Sequence, residues 1–285
     1  MNAAAASRSP HSRSPLTLPG ALRVPEVALV FWVVKLLSTA MGESTSDALV
    51  NSSLGAPVAV LLGFAAFLAA LFIQFKQARY RAWSYWLAVC GVGVFGTMAA
   101  DVMHVALHVP YTASSIFYAA LLAAVFGGWS RTERTLSIHS IDTPRREGFY
   151  WAAVVATFAM GTALGDLTAN TLKLGYWPSA ALFAGIILIP LLGWRLLGWN
   201  TVFCFWAAYV VTRPLGASIA DGLGKPKNVS GMDLGDGPVA GTIAVLIILL
   251  VAYLSVTRSD VQRTPTRAEQ AFDAVEDPAS AQLGA

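Results

Sequence analysis

The sequence predicts an all-α fold, a polytopic membrane protein of about eight transmembrane helices arranged as four parallel two-helix repeats. Three observations predict it. Charge-poor apolar runs recur along most of the chain, basic residues gather in alternate loops, and one motif returns four times in fixed register.

The runs reflect a composition that is 56% hydrophobic and 12% charged, with a mean hydropathy of +0.60, where a soluble domain carries roughly a quarter charged residues. Set against breakers, they give spans near 26–46, 56–75, 82–104, 111–129, 149–169, 176–197, 200–222 and 238–257. Each is close to the ~20 helical residues that cross about 30 Å of hydrocarbon. The flanks, 1–24 and 258–285, are polar and poor in aromatics, so a loosely ordered leader and tail are expected on either side of a transmembrane domain over 25–257. The leader lacks the apolar stretch of a secretory signal.

The basic residues sort by side. Arg8, Arg13 and Arg23, then Lys76, Arg79 and Arg81, then Arg131, Arg134, Arg145 and Arg146, then Arg195, and finally Arg258, Arg263 and Arg267 share one side. The alternate loops hold only Lys173, Lys225 and Lys227, so the positive-inside rule places both termini in the cytoplasm. The formal net charge of +3 is therefore read as topology and not as a nucleic-acid footprint. Cys90 and Cys204 both lie in apolar segments, which leaves no disulfide framework and no thiolate metal site.

The repeat is the strongest signal. An aromatic-Trp pair is followed by a glycine ten residues after the Trp and an aspartate five residues later, in Phe31-Trp32…Gly42…Asp47, Tyr85-Trp86…Gly96…Asp101, Tyr150-Trp151…Gly161…Asp166 and Phe205-Trp206…Gly216…Asp221. Fixed spacing in four segments implies quadruplication of one unit, with repeats near 25–76, 80–130, 146–197 and 200–257. Two spans per unit make the copies parallel, related by axes along the membrane normal. At about 100° per residue, Trp, Gly and Asp fall within one arc of about 140°, and Lys35 and Arg213, the cations inside spans, fall on the same face. The plainer even-numbered helices are the natural lipid-facing shell.

Asp47, Asp101, Asp166 and Asp221, with Glu43 beside the first, form the candidate site for a transported cation, because an intramembrane acid is costly unless paired or lining a wet path. Their oxygens, with the hydroxyls and amide around them, suit hard cations such as Mg²⁺, Ca²⁺ or Mn²⁺. Lys35 and Arg213 are the expected charge partners of those acids. The glycines are expected at close helix crossings and the four Trp at the membrane interface as anchors. His104 and His108 follow Asp101 on its helix, and Asp233 and Asp236 sit in the last alternate loop as weaker ligand candidates. No phosphate loop and no hydrolase or protease signature is present, so neither ATP-driven transport by this chain alone nor an enzyme activity is expected. No catalytic residue and no cofactor is assigned.

The four motif copies, with Lys35…Gly42-Glu43…Asp47 first and Thr212-Arg213-Pro214-Leu215-Gly216…Asp221 last, resemble a bacterial family of uncharacterised membrane-anchored proteins defined by a repeat of unknown function. The resemblance covers residues 25–257 and implies a multi-span inner-membrane protein without an established substrate. Gly165-Asp166-Leu167-Thr168 is also loosely similar to the Glu-x-Gly-Asp-Lys-Thr motif of a divalent cation exchanger family, with Leu167 in place of the Lys and no Glu at Thr162-Ala163. The resulting expectation is a secondary transporter of a small cation, such as Mn²⁺, whose partners are the lipid bilayer and that cation, with no nucleic acid. The alternative is a membrane scaffold or sensor in which the aspartates are structural.

Overall fold

The computed structural model describes residues 22–262, so the leader and tail expected to be loosely ordered lie outside the described residues except at 22–24 and 258–262. Among the described residues there are eight long helices and no strand: α1 (Leu29–Val50), α2 (Ala56–Phe75), α3 (Ala82–Asp101), α4 (Tyr111–Glu133), α5 (Pro144–Asp166), α6 (Tyr176–Leu197), α7 (Thr201–Gly224) and α8 (Asp236–Thr257). Local chemistry sets several of their ends. Thr143 accepts the Arg146 N–H ahead of Pro144 to start α5, and Asn200 accepts from Val202 and Phe203 to start α7. Gly55, Gly175 and Gly235 take φ of +78°, +78° and +82° immediately before α2, α6 and α8, a turn residue that three of the four repeats share.

Seven of these helices are long and apolar enough to cross a membrane; α1 is the exception because it carries Lys35, Glu43 and Asp47. Its charges do not face outward. Lys35 is fully buried and Glu43 nearly so, which places α1 among the inner helices of the bundle.

The four motif helices form a closed inner ring in the order α1, α3, α5, α7 and back to α1, and each plain helix packs on the motif helix of the following repeat, with α8 packing on α1. Two sets of contacts show the cyclic pattern residue by residue. At each crossing, the motif glycine meets the residue seven positions past the Trp of the next repeat. A Cβ on Gly42 would lie 2.6 Å from the Gly93 backbone, one on Gly96 2.8 Å from Phe158 Cβ, one on Gly161 2.6 Å from Arg213 Cβ, and one on Gly216 2.7 Å from Thr39 Cβ. Only glycine permits these approaches, as the motif spacing suggests.

The second set corrects an expectation. Three of the four motif tryptophans are not interfacial anchors: Trp86, Trp151 and Trp206 are buried at 1%, 2% and 5% exposure, while Trp32 is half-buried. The aromatic preceding each Trp packs on the Trp of the next repeat, in Phe31–Trp86 at 5.6 Å, Tyr85–Trp151 at 5.7 Å, Tyr150–Trp206 at 6.0 Å and Phe205–Trp32 at 5.7 Å between ring centroids. Ring closure turns these side chains inward, where edge-to-face and tilted aromatic contacts add to their burial.

The described chain ends meet at this aromatic end of the ring. Glu26 donates its N–H to the Asp260 carbonyl at 2.8 Å, and Gln262 Nε2 donates to the Pro25 carbonyl at 3.0 Å. The plain helices meet the surroundings, with Leu61, Phe72, Ile116, Leu188 and Ile248 exposed, as a lipid-facing shell requires.

The glycine crossings predict a graded mutational response. Gly42→Ala or Gly216→Ala should destabilise the purified protein by about 1–3 kcal/mol through overpacking. Gly241→Ala, in α8 with nothing near its added methyl, should leave the melting temperature in detergent unchanged or slightly higher. Equal melting temperatures for the three variants would contradict the ring.

Candidate functional site

Positions four residues apart on the motif helices stack into layers along the centre of the ring, each step rising about 6 Å. From the aromatic end these are Phe31, Tyr85, Tyr150 and Phe205, then Lys35, Val89, Val154 and Tyr209, then Thr39, Gly93, Phe158 and Arg213, then Glu43, Thr97, Thr162 and Ala217, and last the four motif aspartates. The three middle layers are buried throughout, while three of the four aspartates are half-buried. The repeats are equivalent in backbone and different in chemistry.

Arg213 is the node of this axis. Its Nη2 shares two hydrogens among three acceptors, Glu43 Oε2 at 2.6 Å, Thr97 Oγ1 at 2.5 Å and Thr162 Oγ1 at 2.6 Å, so the last repeat holds the equivalent position of each of the other three. Arg213 is fully buried and the Glu43 side chain is 5% exposed. Arg213 therefore has the acidic partner the sequence suggests.

Lys35 does not. Its ammonium stands 4.1 Å from the Phe158 ring centre and 4.3 Å from that of Tyr209, with no hydrogen-bond partner and no carboxylate within salt-bridge distance among the described residues. It sits one turn closer to the aromatic end than Arg213, too far along α1 to reach the acids. Aromatic faces attract a cation through their quadrupole, and these two rings are what surrounds the Lys35 nitrogen.

The acidic residues do not converge into one set. Carboxylate oxygens of Glu43, Asp47 and Asp221 lie within 4.8 Å of one another. Asp101 and Asp166 stand apart, at points where α3 and α5 widen into single π-helical turns over Val102–Ala106 and Leu167–Thr171, a departure frequent at functional sites. Asp166 accepts from Asn170 Nδ2 at 3.3 Å, and Asp101 has no ion-pair partner among the described residues. His104 bonds the Val109 carbonyl at 2.9 Å and stacks on Tyr111, so its ring is engaged away from the acids.

Two charged residues with partners in the ring escape sequence reasoning. Lys225, counted there only as a loop charge, places its ammonium 2.5 Å from Asp47, 3.3 Å from Asp236 and 4.0 Å from Asp221. Burial works against its charge, but these three carboxylates together outweigh burial and hold its pKa above the ordinary lysine value. Its i,i+4 spacing to Asp221 was the available signal. Glu147, at the opposite end of the axis, is fully buried and takes Arg23 at 2.6 Å and Gln74 at 3.0 Å. That pair ties the start of the described chain across the aromatic end.

Every residue of the three middle layers is buried. A cavity of about 600 Å³ opens elsewhere, between α1, α6 and α7, lined by Trp32, Leu36, Pro190, Trp194 and Phe205 among others and by none of the motif aspartates.

This architecture defines a class: a polytopic helical membrane protein in which four internal repeats enclose a polar axis. The chain belongs to the family of the Repeat of Unknown Function (DUF347), whose model matches it four times, at residues 30–80, 84–135, 149–198 and 204–260. No curated protein and no solved structure matches it.

The central node predicts unequal costs. Thr97→Val and Thr162→Val keep the shape but remove an oxygen bonded to a buried guanidinium, and each should cost about 1.5–3 kcal/mol. Asp101→Asn, at a half-buried carboxylate without an ion-pair partner, should leave detergent stability unchanged within about 0.5 kcal/mol. Equal stability of all three variants would remove the node from the account.

Proposed function

We propose that this protein is a secondary transporter of a small cation, a divalent metal such as Mn²⁺, moving along the axis enclosed by the four motif helices. The observation that carries the reading is the layered axis itself. Each repeat delivers one aspartate to the same end, and a buried ion pair lies one layer below. Acids at a protein-lined axis within apolar spans mark ion pathways, and carboxylate oxygens match hard divalent cations. In this reading the protein sits in a bacterial inner membrane with both termini cytoplasmic, its aspartate layer faces outward, and the paired Arg213 layer closes the path in the state described.

The scaffold reading has one observation in its favour: Arg213 bonds Glu43, Thr97 and Thr162 from the other three repeats, a buried network of the kind that locks helices together. Flux separates the two. Purified protein in liposomes should carry Mn²⁺ down its gradient into dye-loaded vesicles. Asp47→Asn and Asp221→Asn should insert normally and lose about tenfold or more of the initial rate. Absence of Mn²⁺, Mg²⁺ and Ca²⁺ flux from well-folded protein would overturn the transport reading in favour of the scaffold.

A further inference from the structure

The proposed cation path has an occupant at its mouth. Lys225 is the residue immediately after α7, and the loop beyond it folds back on the helix end. Met232 donates to the Gly222 carbonyl at 2.8 Å, Asp233 to the Lys225 carbonyl at 2.9 Å, and Leu234 and Gly235 to the carbonyls of Leu223 and Gly224, each at 3.1 Å. Ser230 and Asp233 take left-handed φ of +73° and +64° to make that return. The loop thereby brings Asp236, at the start of α8, to the same ammonium that Asp47 and Asp221 hold.

Charge and ligand geometry show what the ammonium replaces. Three carboxylates surround one ammonium, and Asp236 Oδ1 is buried without a partner while its other oxygen bonds Lys225. Asp47 and Asp221, which both face the ammonium, have oxygens within 4.8 Å of each other and of a Glu43 oxygen, the spread that a divalent ion with metal–oxygen distances of about 2.0–2.6 Å allows. An ammonium satisfies hydrogen bonds there as a single positive charge, whereas a divalent ion would supply two. The Lys225 side chain is 22% exposed, so its four-carbon stem has an exit toward solvent.

We propose that Lys225 is a tethered competitor for the transported cation: its ammonium occupies the place the cation takes beside Asp47, Asp221 and Asp236, and must leave before the cation binds. The inference rests on the transport reading and adds a determinant of its affinity and charge selectivity. A divalent ion displaces the ammonium more readily than a monovalent one, because only the divalent ion improves the charge balance of the three acids.

The experiment uses the full-length protein in detergent, with Mn²⁺ as the probe and its free concentration read by electron paramagnetic resonance. If Lys225 holds the place most of the time, the apparent Mn²⁺ Kd of Lys225→Met should be lower than that of the unmodified protein by about tenfold or more, since apparent affinity scales with the fraction of open sites. Lys227→Met should not change it. A second readout needs no variant: saturating Mn²⁺ should raise the reductive methylation of Lys225, followed by mass spectrometry, and leave Lys227 unchanged. If the unmodified protein binds Mn²⁺ but Lys225→Met binds it no more tightly, or if Mn²⁺ leaves Lys225 labelling unchanged, the competitor is overturned and the transport reading stands. If neither protein binds Mn²⁺, Mg²⁺ or Ca²⁺, the transport reading fails and the competitor falls with it.

Discussion

The contact between Arg213 and Glu43 joins the last repeat to the first, and the rest of the inner ring is arranged around it. A guanidinium and a carboxylate buried in an apolar bundle carry a desolvation cost that only close geometry and further hydrogen bonds offset. Both are present: the pair is 2.6 Å long, and hydroxyls from the two remaining repeats accept from the same nitrogen. All four motif helices must therefore stand at one height and one rotation for Arg213 Nη2 to keep these three partners, while Nε and Nη1 are buried without a partner among the described residues. This accounts for the position of α1, whose charges bar it from lipid and whose Glu43 supplies the carboxylate that Arg213 requires.

Backbone equivalence and chemical difference divide the work between them. The glycine crossings and the aromatic-to-Trp contacts repeat around the ring with one rule, so geometry comes from the duplicated unit. The side chains that fill the layers do not repeat. One layer holds Lys35 and Tyr209 opposite two valines, the next a single arginine, and the next one glutamate and two threonines. A symmetric ring of four arginines at that height would lack compensating charge. Divergence of the copies allows one cation to be paired and another to be enclosed by aromatic rings.

Much of this was legible in the residues. Apolar runs locate the helices to within a few residues, and the invariant Trp…Gly…Asp spacing reveals both the repeat and its close crossings, because each is a local property of one helix. Direction within the ring was not legible. Trp86 and Trp151 have the composition of interfacial anchors, and only closure of the ring turns them into core residues. Lys35 and Arg213 share a face on a helical wheel, yet four residues of register decide that one meets a carboxylate and the other two aromatic rings. Lys225 acquires its role from Asp47, 178 positions away in the chain, through a loop return that no local pattern announces. Long-range pairing of this kind depends on how helices are ordered around the ring, which periodicity alone does not contain.

The claim on which this account turns is that the first and last repeats meet through Glu43 and Arg213 at the centre of a closed ring. Its most direct measurement is the coupling energy between the two residues, from detergent unfolding of Glu43→Gln, Arg213→Met and the double variant. Each single change should cost about 3–5 kcal/mol by stranding a buried partner. The double should cost little more than either alone, a coupling of about 2 kcal/mol or more. Costs that simply add would mean that the two side chains do not meet, and the ring as described would be wrong.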